Sequence, residues 1–140
     1  MALSNFDIMD LLKKNNVSVN DIIMKDYDGV LKKGFYIVNL DDTGGAGTHW
    51  TAFYFDGKLN IYFDSFGLPP PKNIEKLLGN FIYNTEHIQH IESILCGYYC
   101  LLFVKYLFNS RSKYYRFSEF VNLFYLPHKN EEILKKMFKL

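Results

Sequence analysis

Two aromatic, β-branched-rich runs, His49 to Phe55 and Lys58 to Asp64, stand on either side of Asp56-Gly57. No other stretch restricts the fold of this chain so sharply. A two-residue hairpin turn needs positive φ at its central positions, and Asp and Gly both accept it. The spacing predicts an antiparallel hairpin in which Phe55 pairs with Lys58. Counting back along both strands, His49 then faces Asp64. Directly paired residues hold their Cβ atoms about 4.5–5.5 Å apart, within reach of an imidazole–carboxylate hydrogen bond. A strand-end histidine and a turn-forming aspartate are each ordinary. Their pairing places a base beside an orienting acid.

The remaining pattern adds helices around this hairpin. Leu3 to Lys14 reads as an amphipathic helix capped by Ser4 or Asn5, with Phe6, Met9, Leu11 and Leu12 as its apolar stripe. Val19 to Met24 reads as a short turn, and Gly34 opens a strand through Leu40. A Gly-rich loop spans Thr43 to Gly47. It lacks the Gly-Lys-Ser/Thr ending of a phosphate-binding loop and reads as backbone beside the His49 strand. Pro69-Pro70-Pro71 closes the hairpin region and Asn73 to Asn80 reads as a helix. After a polar loop, Cys96 to Phe108 is an apolar run long enough for a buried helix, with Ser93 as its candidate N-cap. Phe117 to Phe124 and Asn130 to Phe138 complete the helical tail. Strands followed by helices, with one hairpin, argue for an α+β domain spanning residues 1–140.

Bulk properties exclude several classes. Sixteen basic against fifteen acidic residues leave a net charge of +1, which makes no bulk case for nucleic acid or an anionic membrane. No window approaches the roughly 20 apolar residues of a membrane helix. The N-terminus has no basic region followed by a long apolar core, so it does not read as a signal peptide. Cys96 and Cys100 lie four apart in one helix, a poor disulfide framework. The expectation is an intracellular, non-secreted protein with reduced thiols.

Cys96 begins the apolar helix and Gly97 follows it. Unpaired N–H groups at a helix start favour the thiolate, which is the attacking form of cysteine. A nearby His49 would add imidazolium stabilisation. Gly97 would let a substrate chain approach closely, and the Cys96 N–H can point at a developing oxyanion. Cys100, one turn on, reads as a core cysteine. Gln89 precedes Cys96 by seven residues. Its amide can donate into the same oxyanion site, although a lone loop glutamine is usually just solvated. His87 and His90 form an HxxH pair, too few ligands for a metal centre, so neither metal nor cofactor is expected.

The order His-Trp at 49–50, Asp64 within Phe63-Asp64-Ser65-Phe66-Gly67, Gln89, then Cys96-Gly97 resembles the adenain and Ulp-type cysteine proteases. The likeness is closer to the adenovirus-protease branch, whose Gly-rich loop and His-Trp resemble Thr43 to Trp50. The resemblance implies a papain-like or adenain-like fold, with a small mixed or antiparallel sheet packed by helices. It implies His49 as general base, Asp64 as its orienter, Cys96 as nucleophile and Gln89 as oxyanion donor. It also implies that Trp50 supports or borders the substrate channel. This chain departs from the pattern in using Asp64 where adenovirus enzymes commonly use Glu. It also has Ile94-Leu95 before the cysteine and lacks a proline after Gln89.

By this resemblance the substrate is a protein, cleaved after glycine. A viral maturation protease acting on capsid or core precursors is expected, in the virion, the host cytoplasm or a viral factory. The AT-rich-like composition suits a virophage or Polinton-like element. DNA stimulation stays open, without support from the net charge. The alternatives are a deconjugating enzyme for a ubiquitin-like modifier and a catalytically inactive capsid-associated module.

Overall fold

The computed structural model describes residues 3–40, 49–89, 95–124 and 127–138. In chain order its elements are α1 (Asn5–Lys14), β1 (Asp21–Met24), β2 (Gly34–Asn39), β3 (Trp50–Phe55), β4 (Asn60–Phe63) and α2 (Lys72–Leu78). They continue with β5 (Phe81–Tyr83), α3 (Cys96–Leu107), α4 (Lys113–Asn122) and α5 (Pro127–Phe138). The strands form one mixed sheet in the order β1-β2-β3-β4-β5. The outer pairs are parallel and the two inner ones antiparallel. The α+β expectation with a small mixed sheet holds.

The middle strands read as almost continuous apolar runs because both faces of the sheet are covered. On one face Phe35, Ile37, Ala52, Tyr54, Ile61 and Phe63 pack against α3 and its helical neighbours. On the other, Tyr36, Val38, Phe53 and Tyr62 pack with Ile74 and Leu78 of α2. Phe103 of α3 stacks on Phe63 with ring centroids 5.3 Å apart and meets Phe117 edge-on at 5.8 Å. This packing fixes where α3 begins relative to the end of the β3–β4 hairpin.

Several local expectations are corrected. Ser4 caps α1 in a reciprocal box with Asp7, so the helix begins at Asn5 rather than Leu3. Its buried residues are Ile8 and Leu12, while Phe6 and Met9 are exposed. Residues 21–24 are not a turn but a strand paired parallel with β2. Phe81–Tyr83, expected in a polar loop, is a strand added beside β4. The N-cap of α3 is Leu95, with no side-chain cap bond. Ser93 and the Gly-rich segment 43–47 lie outside the described residues.

The hairpin turn is four residues long rather than two. The observed pairs are Ala52 with Phe63, Phe53 with Tyr62 and Tyr54 with Ile61. Two side chains hold the longer loop. The Asp56 carboxylate accepts from the N–H groups of Lys58 (2.9 Å) and Leu59 (3.0 Å). Buried Asn60 accepts through Oδ1 from Asp56 N–H at 2.8 Å and donates through Nδ2 to the Leu78 carbonyl at 2.6 Å. These bonds satisfy the turn backbone locally, which a two-residue turn would do through the ladder itself. Extending the observed register sets His49 opposite Phe66 and moves Asp64 to its diagonal. A two-residue slip leaves every side chain on its original face.

Two glycines separate conformational cost from steric cost. Gly57 (φ +87°) has open space where a Cβ would stand. Gly67 (φ +75°) would set a Cβ 2.7 Å from the Thr85 carbonyl oxygen and 2.8 Å from that of Glu86. Gly57→Ala is expected to destabilise by about 1 kcal/mol, the left-handed penalty alone. Gly67→Ala is expected to cost more than about 2 kcal/mol, because backbone must also move. Urea unfolding of both variants checks the difference.

Candidate active site

Asp64 follows the last residue of β4, and His49 precedes the first of β3, so both lie at one end of the hairpin. His49 Nε2 lies 2.8 Å from Asp64 Oδ1. The contact expected from the sequence is present, although it runs diagonally and not straight across. Phe66, opposite His49 in the extended register, stacks on the imidazole at 4.8 Å between ring centroids. That stacking fixes the plane of the ring, and the carboxylate fixes its rotation.

The Asp64 carboxylate is almost completely buried, so its charge needs partners. Oδ1 also accepts from the Phe66 N–H at 2.9 Å, and Gly67 N–H closes a turn on the Asp64 carbonyl at 2.8 Å. Buried Asn84, one residue past β5, holds the Asp64 backbone from the other side. Its Oδ1 accepts from Asp64 N–H at 3.1 Å, and its Nδ2 donates to the Asp64 carbonyl at 2.6 Å. A side-chain amide thus continues the β4–β5 pairing beyond the last strand pair. The sequence reading missed Asn84; its one signal is a polar residue at the end of a strand that reading did not recognise.

Cys96 is the first residue of α3 and is buried, at 6% exposure. Its thiol stands beside the His49 ring, near enough to raise the ring's affinity for a proton. With Nε2 engaged by Asp64, Nδ1 is the imidazole nitrogen left to face the thiol. Burial alone would favour a neutral His49 ring. The hydrogen bond to Asp64, then the approach of Cys96, and the charges of both partners outweigh it and lift His49 from 6.5 to about 9. Cys100, one turn below, is fully buried, and that burial pushes its thiol well above the usual range. The two thiols therefore differ in environment as expected, and both are free.

Gln89 is buried, not solvated. Its N–H and that of Ile88 both donate to the Ser65 carbonyl at 2.8 Å. Its side-chain Oε1 accepts from the Ser65 hydroxyl at 2.5 Å. Asn130 of α5 donates to the Ile88 carbonyl at 2.9 Å and anchors the same segment from the helical side. Ser65 and Asn130 were not singled out from the sequence.

Trp50 and Gly97 both lie against Leu3. Trp50 is 2% exposed and its indole N–H donates to the Leu3 carbonyl at 3.0 Å, so its ring belongs to the core and ties down the N-terminal segment. Gly97 is buried too. A Cβ there would lie 3.0 Å from Leu3 Cδ1, so the space beside this glycine is taken by Leu3 and not offered to a substrate. His87 lies edge-on to Phe66 at 5.5 Å; its HxxH partner His90 is outside the described residues. Among the described residues no helix is long and apolar enough to cross a membrane.

No protein-family model and no curated protein matches the chain. Among solved structures it is similar to the ASFV pS273R protease, with 20% identity and a TM-score of 0.45 over 60% of this chain. The chain spans 38% of that enzyme's length.

The raised His49 value has a measurable sign. The folded protein binds this proton more tightly than the unfolded chain does. The contribution to stability is therefore complete below about 6.5 and is lost as pH rises through about 9. Imidazole NMR should show His49 titrating near 9, and Asp64→Asn should lower that midpoint by about one unit or more. A midpoint unchanged by Asp64→Asn would remove the carboxylate as the cause.

Proposed function

We propose that this chain is a cysteine endopeptidase in which Cys96 is the nucleophile, His49 its acid–base partner, Asp64 the orienter of His49, and Gln89 an oxyanion donor. The observation that carries the reading is the convergence of three elements. A helix-start thiol stands beside an imidazole that is held 2.8 Å from a buried carboxylate. A base between a nucleophile and a third orienting group is the arrangement nucleophilic catalysis needs.

With its value lifted to about 9, His49 is protonated at neutral pH, and the attacking form of Cys96 is the thiolate. The Cys96 sulfur attacks the scissile carbonyl carbon, and the C=O electron pair moves onto oxygen. The Cys96 N–H and Gln89 Nε2 receive that charge. As the C–N bond breaks, His49 passes its proton to the leaving amine, and a thioester remains. Water then attacks the thioester carbon and gives a proton to His49; the C–S bond breaks, the carboxylic product leaves, and Cys96 and His49 return to their starting forms.

The substrate is a protein, cut on the carboxyl side of glycine. Two observations support this choice. The motif resemblance points to glycine-directed enzymes. The site is also tight: His49 has 16% side-chain exposure, while Cys96, Asp64 and Gln89 are buried. A residue without a side chain is the one such an approach admits most easily. The maturation of viral structural precursors rests on the motif resemblance alone.

Cys96→Ala is expected to lower hydrolysis of a Gly-ended fluorogenic peptide by about 10⁴-fold or more while leaving the far-UV spectrum unchanged. Cys100→Ala keeps most activity. Gln89→Ala lowers kcat roughly 10²-fold with a smaller change in KM. A dead Cys100→Ala beside an active Cys96→Ala would refute the assignment.

A further inference from the structure

The segment that bears Asp64 and the segment that bears Gln89 meet at one residue. Ser65 is fully buried and makes three hydrogen bonds to 88–89. Its carbonyl takes both backbone N–H groups, which holds the Gln89 backbone against the acid-bearing turn. Its hydroxyl donates to Gln89 Oε1.

The last bond has a chemical consequence. A glutamine amide presents a carbonyl on one side and an NH₂ on the other, and rotation by half a turn exchanges them at little intrinsic cost. Only the surroundings decide which end points where. A buried hydroxyl must spend its single proton on an acceptor. The atom at hydrogen-bond distance from the Ser65 hydroxyl is Oε1, the acceptor end of the amide. The carbonyl end therefore faces Ser65, and Nε2 is turned to the opposite side.

Resting on the protease reading above, we propose that Ser65 is a positioning residue of the oxyanion site. It sets the Gln89 amide so that Nε2, and not Oε1, meets the charge that develops on the substrate carbonyl. Removing the Ser65 hydroxyl takes away the donor that the carbonyl end meets, and an amide turned over would bring a carbonyl oxygen against an oxyanion. Ser65 sits directly after Asp64, so one short turn fixes the acid through the Phe66 and Gly67 N–H groups and the oxyanion donor through Ser65.

The test uses the full chain as wild type, Ser65→Ala, the near-isosteric Ser65→Cys, Gln89→Ala, and each Ser65 change combined with Gln89→Ala. Three readouts are taken: hydrolysis of a Gly-ended peptide amide, inhibition by the matching peptide aldehyde, and alkylation of Cys96 by iodoacetamide. The aldehyde adduct forms a C–S bond and places a negative oxygen in the oxyanion site, where it is held or takes the His49 proton. Alkylation forms a C–S bond and releases iodide without creating an oxyanion.

Ser65→Ala is expected to lower kcat by roughly 10-fold to 10²-fold, towards the loss of a whole oxyanion donor. KM should stay within about twofold, and aldehyde inhibition should weaken by a factor similar to that of kcat, because only oxyanion-bearing states lose the donor. Alkylation should stay within about twofold of wild type, since the thiolate is untouched. Ser65→Cys, a weaker donor of similar size, should fall between, and it keeps the test open if the alanine variant does not fold. In the Gln89→Ala background neither Ser65 change should cost more, because residues acting through one donor are not additive.

An unchanged kcat overturns the proposal. So does an additive loss on top of Gln89→Ala, or alkylation that falls in step with hydrolysis, which would mark general loosening. If the wild type itself neither hydrolyses the peptide nor binds the aldehyde, the protease reading fails and this proposal with it. A failure confined to the Ser65 variants leaves the protease reading intact.

Discussion

A carboxylate enclosed at the end of a β-hairpin is the constraint around which this molecule is arranged. Asp64 cannot be buried as a charge without compensation. It obtains that compensation from His49 and from the backbone of its own turn. Its chain position is fixed by Asn84, which replaces the strand partner that β5 is too short to supply. Each bond holds the acid still, and those to His49 and Asn84 are possible because the sheet brings residues 49, 64 and 84 to one end. The consequence passes through His49 to Cys96: a fixed anion on one nitrogen keeps the ring protonated and directs its other nitrogen at the thiol.

Distant parts of the chain support the same end of the sheet. Leu3 lies against Gly97, and its carbonyl holds the Trp50 indole. The residues beside both Cys96 and His49 are thereby fastened to the N-terminal segment. Asn130 of α5 reaches 42 residues back to the Ile88 carbonyl next to Gln89. The helical face carries Cys96, and the hairpin end carries Asp64 and His49. The contacts of Leu3, Trp50 and Asn130 lock these parts in one geometry, as preorganised electrostatics requires.

Much of this was legible in the sequence, for identifiable reasons. Dense β-branched and aromatic runs marked β2, β3 and β4. The apolar stretch from Cys96 marked α3 because a helix buried on nearly all sides has no polar face. The nearness of His49 and Asp64 survived a wrong register, since the error was two residues and the pleat repeats every two. That error came from reading Asp56-Gly57 as the whole turn; the Asn60 side chain that stretches it acts from within the strand. β1 and β5 were missed because each is a short edge strand whose pairing is set by distant partners and not by its own composition. The buried face of α1 was misread for a similar reason. Its apolar residues permit two stripes, and only packing against α3 selects Ile8 and Leu12. Leu3, far away in sequence, accepts from the Trp50 indole and fills the space beside Gly97, contacts that no local pattern announces.

The central claim is that Cys96 is made reactive by the His49–Asp64 pair. Covalent labelling with a vinyl sulfone on a Gly-ended peptide tests it most directly, with the modified residue located by mass spectrometry of the digested protein. The prediction is a single adduct on Cys96, none on buried Cys100, and labelling slowed by at least about 10²-fold in His49→Ala. Adducts divided between the two thiols, or labelling of His49→Ala at the wild-type rate, would contradict it.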